Sequence, residues 1–160
     1  MLIRNTRPED IDAVMKIYAE AREFMRQTGN ANQWGNGHPA RELIESDIAN
    51  NTGYVVEDMG EIIGTFFFKI GEDDTYKKIY DGEWAQDGEY GVIHRIAVKY
   101  HGRGIVKFVY DHCYDLINSL RIDTHRDNIP MQRSLEKSGF RRCGIILLAS
   151  GDERIAFQKV

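Results

Sequence analysis

Residues 91–125 read "GVIHRIAVKYHGRGIVKFVYDHCYDLINSLRIDTH", and three patterns follow one another along them. "GVIHRIAVKY" is an apolar, β-branched run of strand length. After Gly104, residues Ile105, Val109, Cys113, Leu116 and Leu120 recur on one helical stripe, and "RIDTH" resumes a strand. Where the first strand gives way to the helix, Gly102 and Gly104 flank Arg103. A loop that exposes main-chain N–H groups at the mouth of a helix is an anion site by geometry. The first four amides lack partners there, and the helix dipole adds positive potential. A phosphate-bearing ligand is the expectation.

Working outward, "LIRNTR" alternates as a short first strand. "RPEDIDAVMKIYAEAREFM" carries Ile11, Val14, Met15, Tyr18, Ala21 and Met25 at helical spacing, with Pro8, Glu9 and Asp10 in its first turn. "ARELIESDIANN" predicts a second helix beyond a polar, Gly-rich loop whose one large apolar residue is Trp34. "TGYVVEDMGEIIGTFFFKI" predicts two strands around a turn at Met59-Gly60. The acidic and aromatic stretch "GEDDTYKKIYDGEWAQDGEY" has no assignable pattern. Past the central unit, "NIPMQRSLEKSG" reads as a short helix with Asn128 at its mouth and Gly139 past its end. "FRRCGIILLAS" and "ERIAFQKV" form a final hairpin around Gly151-Asp152. This order predicts an α+β, three-layer α/β/α fold with about four helices and a mixed sheet of about six or seven strands.

The chain has 160 residues, 42% of them hydrophobic, enough for one domain, residues 1–160, with its own core. A net charge of −4 offers no basic field for a polyanion, which argues against nucleic acid as a partner. Cys113 and Cys143 lie far apart without a CxxC spacing, which suits a reducing compartment, and cytoplasm is the expectation. "MLIRNTRPED" reaches proline and acids too early for a signal peptide, and no apolar run approaches the roughly 20 residues of a membrane span.

The glycine loop admits several readings. It lacks the GxxxxGK[ST] frame of a P-loop. As a dinucleotide fingerprint, Gly102 and Gly104 match the first two glycines and Asp123 lies about 20 residues on, but Lys107 occupies the third glycine. A plain tight turn is the bland alternative. A further pattern, Q/R-x-x-G-x-G/A, is the pyrophosphate loop of the GNAT superfamily of N-acetyltransferases. The chain resembles that superfamily over nearly its whole length. "HRIAVKYHGRGIVKFVYD" is similar to its central strand, loop and helix, and "RIDTHRDNIPMQRSLEKSGFRRCG" to the strand and helix that follow. His101 stands where Gln or Arg is usual and Val106 where a small residue is usual, while Gly104 falls on the expected glycine.

The resemblance implies acetyl transfer from acetyl-CoA to a primary amine by direct attack. The backbone of Ile96, Ala97 and Val98 would hold the pantetheine arm, and His101, Gly102, Arg103, Gly104, Ile105 and Val106 would hold the diphosphate. Asn128 would contact the coenzyme as well as cap its helix. Such transfer needs a base for the amine and polarisation of the carbonyl. On strict strand alternation His94 shares a face with Ile96 and is the first candidate base, and His125, near Asp123, is the second. Relatives often place a tyrosine as general acid where this chain has Leu135, which leaves a water, another tyrosine such as Tyr100 or Tyr114, or no acid at all as alternatives.

That leucine also keeps open a non-catalytic coenzyme-binding module of the same fold. Trp34, Tyr76, Tyr80 and Trp84 are the candidate aromatic wall for a small-molecule or amino-acid-like amine, with a satellite core as the competing account. Metal-ligand spacing among the five histidines is absent, so no metal is expected. A homodimer stays open.

Overall fold

A computed structural model describes residues 1–160. Its elements are β1 (Leu2–Asn5), α1 (Ile11–Gln27), α2 (Arg41–Ala49), β2 (Gly53–Asp58), β3 (Glu61–Ile70), β4 (Gly91–Val98), α3 (Ile105–Ile117), β5 (Leu120–Thr124), α4 (Ile129–Lys137), β6 (Arg141–Leu147) and β7 (Glu153–Lys159). The seven strands form one mixed sheet in the order β1-β2-β3-β4-β5-β7-β6. β4 and β5 pair in parallel through Gly91 with Leu120 and Val92 with Arg121, whereas β1/β2, β2/β3, β5/β7 and β6/β7 are antiparallel. The α+β class, the four helices and the mixed sheet expected from the sequence are therefore present. No helix is long and apolar enough to cross a membrane.

Two compact units make up the chain: residues 1–68 with 94–109, and residues 69–93 with 110–160. The division crosses β3 after Phe68, β4 after Ile93 and α3 after Val109.

In the first unit, α1 buries Val14, Ile17 and Tyr18 against Ile44, Val55 and Ala97, with Trp34 packed at the edge. Before α1, Pro8–Asp10 is a 3-10 turn rather than the helix's first α turn. The Asp10 carboxylate accepts from the Arg7 amide and from Arg4, each at 2.7 Å. Bonded to Arg4, that carboxyl titrates below its ordinary range. The β2–β3 hairpin turns at Met59 and Gly60, with φ of 50° and 82°. Positive φ at both positions is what a two-residue turn of matching twist demands.

In the second unit, Tyr76, Tyr90, Val92, Ile146 and Ala156 form one cluster of the core. The stretch that had no sequence pattern is tied to β6 by main-chain bonds of 2.8 Å in both directions between Tyr80 and Ile145. Its close approach depends on Gly82, where a Cβ would stand 1.9 Å from the Cys143 carbonyl oxygen.

Two sequence expectations are corrected. Leu116 is 55% exposed and Leu120 opens β5, so the buried stripe of α3 is Ile105, Val109, Tyr110 and Cys113. The last reversal spans residues 148–152, closed by the Leu148 amide on the Asp152 carbonyl at 2.9 Å, rather than turning on Gly151-Asp152 alone.

Candidate active site

The glycine loop begins where β4 ends. The Lys99 amide still donates to the Ile63 carbonyl at 2.8 Å, and the next main-chain bond is the helical one from Phe108 to the Gly104 carbonyl at 3.0 Å. Between them, the amides of residues 101–106 donate to no main-chain carbonyl. Gly102 and Gly104 both have φ of 74°, the left-handed region where a side chain is strained, and open space lies where either Cβ would be.

Two of the loop's side chains lie against aromatic rings. The His101 ring stacks on Phe24 of α1 at 4.2 Å, and the Arg103 guanidinium lies 4.3 Å from the Tyr100 ring centre. Glu61 accepts from Lys99 and from the Tyr100 hydroxyl, both at 2.9 Å, and the bond from Lys99 lowers its carboxyl pKa. Unpaired amides at the start of a helix of 13 residues, beside Arg103, are an arrangement that suits an anion. The diphosphate of a coenzyme A fits this cradle.

On β4, Ala97 is buried while Ile96 and Val98 are half-buried. The strand does not run regularly up to them. Arg95 has φ of 52°, a left-handed conformation that costs a non-glycine residue about 1–2 kcal/mol. Strict alternation is interrupted there, so the inference that His94 shares a face with Ile96 does not carry over. His94 is half-buried, its ring tilted by 37° against Phe67 at 5.5 Å.

The sequence reading missed what surrounds Arg95. Its Nη2 meets Asp47 Oδ2 of α2 at 2.7 Å, its guanidinium lies 4.9 Å from the Phe67 ring centre, and its carbonyl accepts from the Tyr18 hydroxyl at 2.8 Å. The one available signal was a pair of polar residues, His94-Arg95, inside an apolar strand. Trp34 stands edge-on to Tyr18 at 5.6 Å.

In the second unit, His125 Nδ1 accepts from the Asp127 amide at 3.0 Å, and its carbonyl accepts from the Asn128 amide at 2.9 Å. An accepting Nδ1 places the proton of the neutral ring on Nε2. Burial and then Arg154 lower the pKa of this imidazole. Asn128 caps α4, its Oδ1 accepting from the Met131 amide at 3.2 Å. Leu135 is fully buried core.

Tyr76, 1% exposed, donates to Asp123 Oδ2 at 2.6 Å, and its carbonyl accepts from Trp84 Nε1 at 3.0 Å. Arg121, 5% exposed, is sandwiched between Trp84 at 4.2 Å and Tyr90 at 4.0 Å. Tyr76 is core with Trp84 packed against it, whereas Tyr80 is 46% exposed. Of the alternative tyrosines, Tyr100 is held by Glu61 and Tyr114 lies under the Lys159 ammonium at 4.8 Å.

The family model described as an acetyltransferase (GNAT) domain matches residues 1–141. Among solved structures, a GNAT-family acetyltransferase from Streptococcus agalactiae is similar at 32% identity and a TM-score of 0.90, covering 99% of this chain and 94% of that one. Two others share the fold at low identity. A GNAT-family acetyltransferase from Listeria monocytogenes has 18% identity and a TM-score of 0.71, with 99% and 93% covered. A ribosomal-protein-alanine N-acetyltransferase from Brucella melitensis has 17% and 0.68, with 100% and 99% covered. No curated protein sequence matches. The seven-stranded mixed sheet, the four helices and the glycine loop opening α3 thus take their place in a family the sequence and a solved relative both identify: this chain belongs to the GNAT family and is an acetyltransferase.

Proposed function

We propose that the protein moves an acetyl group from acetyl-CoA to the primary amine of a small-molecule or amino-acid-like acceptor by direct attack. The observation that carries this reading is the row of unpaired amides at residues 101–106, opening onto free space at Gly102 and Gly104. Acetyl-CoA supplies the activated acyl group. The amides and Arg103 bind the diphosphate, and main-chain groups of Ile96, Ala97 and Val98 orient the pantetheine arm and polarise the acetyl carbonyl. His94 takes the proton of the incoming amine, directly or through a water, and as the carbon–nitrogen bond forms the carbonyl–sulfur bond breaks, releasing coenzyme A as a thiolate that water protonates. The acceptor lies on the side of α1, α2 and Trp34. Direct attack needs no cysteine nucleophile. Burial pushes the Cys113 thiol up to about 12 and raises that of Cys143, which leaves both protonated and unreactive. The same proposal carries a cytoplasmic location, which two free cysteines suit, and a homodimer, for which sedimentation is the test.

Calorimetry with acetyl-CoA, followed by thiol release across a panel of amines and of N-terminal peptides, tests it. Binding with turnover on small amines is the expected result. No binding at high micromolar acetyl-CoA overturns the donor assignment, and turnover confined to peptides overturns the acceptor class.

A further inference from the structure

The left-handed residue in β4 has a purpose-built setting. Arg95 is gripped from three elements: Asp47 of α2 pairs with its guanidinium at 2.7 Å, Phe67 of β3 lies against the same group, and Tyr18 of α1 donates to its carbonyl at 2.8 Å. Asp47 is itself buried, and a Cβ on Gly53 would lie only 3.2 Å from its Cβ, so the acid is seated closely on β2. Tyr18 is fully buried, and burial raises its phenol to about 12, which keeps it a donor at any working pH.

Stability alone does not explain this arrangement. A buried ion pair commonly contributes little net stability, because desolvation offsets attraction. Here the pairing also leaves Arg95 Nε buried without a partner, and the backbone it serves is strained. Strained backbone persists where its surroundings over-determine it, and such residues cluster at working sites. The residue immediately before Ile96–Val98 sets the direction in which the next amides and carbonyls point.

We propose that Arg95 is a positioning residue: clamped by Asp47 and Tyr18, it holds the left-handed kink of β4 and thereby aims the main-chain groups of Ile96–Val98 at the acetyl carbonyl. The proposal rests on the acetyl-transfer reading above. The clamp also joins α1 and α2, on the acceptor side, to the strand that holds the donor.

The test uses Tyr18→Phe, Asp47→Asn, Arg95→Ala and Arg95→Gly, assayed below the melting temperature of each, with amide chemical shifts recorded alongside. Tyr18→Phe and Asp47→Asn are expected to lower kcat about tenfold, the scale of a slight misplacement of reacting groups, with KM for acetyl-CoA within about twofold of wild type. Arg95→Gly is expected to retain more kcat than Arg95→Ala, because glycine adopts the kink without strain. The amides of residues 96–98 are expected to shift in Tyr18→Phe and Asp47→Asn.

A clamp that only stabilises the fold lowers the melting temperature and leaves kcat unchanged, and that result overturns the proposal. Wild-type protein that transfers acetyl to no amine overturns the functional reading instead. In that event unmoved 96–98 amides in both clamp variants overturn the clamp, and displaced ones uphold it.

Discussion

The imidazole of His101 lies on the ring of Phe24, centres 4.2 Å and planes 24° apart. The stack ties the glycine loop to α1 through a side chain and leaves the loop's amides free for a ligand. Such a pair contributes about 0.5–1.5 kcal/mol beyond its buried area. Phe24→Ala is therefore expected to weaken acetyl-CoA binding by about two- to tenfold, with kcat at saturation unchanged. Calorimetry checks it, and unaltered affinity in a folded variant rules out the stack as a loop anchor.

Gly104→Glu sets two effects against the same loop. A side chain at φ of 74° is strained, at a cost of about 1 kcal/mol, and space is open, so the variant is expected to fold. The added carboxylate then stands where the proposal seats the diphosphate. Affinity for acetyl-CoA is expected to fall by more than about tenfold, equivalent to 1.4 kcal/mol, with a melting curve only slightly lowered. Retained affinity would move the diphosphate away from this loop.

Two buried phenols make stability depend on alkaline pH. Burial raises Tyr18 to about 12, and burial together with Asp123 raises Tyr76 well above its ordinary value. In the unfolded chain both titrate near about 10. Below that pH both states hold their protons and the contribution is fully present. As pH rises above it the unfolded state sheds protons first, so stability falls by up to about 1.4 kcal/mol per pH unit for each phenol. Urea melts between about pH 9 and 11 are expected to show this decline, reduced in Tyr76→Phe. A decline that Tyr76→Phe leaves unaltered assigns it to other groups.

What could be read from sequence is what local chemistry decides. The Met59-Gly60 turn, the Asn128 cap and the glycine after α4 are each specified within a few residues, and each stands where expected. The left-handed Arg95 is held by Tyr18, 77 residues away, and Asp47, 48 residues away, so no local pattern marks it. The same distance hid the role of the aromatic stretch. Its composition was plain, but that Trp84 and Tyr90 sandwich Arg121 depends on β5, and their burial follows from a cation the linear order places elsewhere. The open amides of the glycine loop were legible because unpaired amides at a helix start are a property of the backbone.

The two candidate histidines part company in their surroundings, and so in what their loss should do. His94 sits half-buried on β4, one residue before the Arg95 kink, against Phe67. A base acts on the amine and not on the donor, so His94→Ala is expected to lower kcat by about 100-fold, the lower end for general base catalysis, with acetyl-CoA affinity unchanged. His125 instead accepts the Asp127 amide through Nδ1 and helps fold the turn into α4. Burial and Arg154 lower its pKa, so the neutral ring is favoured in the folded state. That contribution is present above about pH 6.5 and is lost as pH falls from there through the folded value, because the unfolded chain takes up its proton first. His125→Ala is thus expected to lower stability near neutral pH, flatten its acid side, and leave kcat within about threefold of wild type, well short of a base's contribution. Parallel pH profiles of kcat and of urea midpoints separate the two residues. A His125→Ala variant that stays stable but loses turnover exchanges their roles.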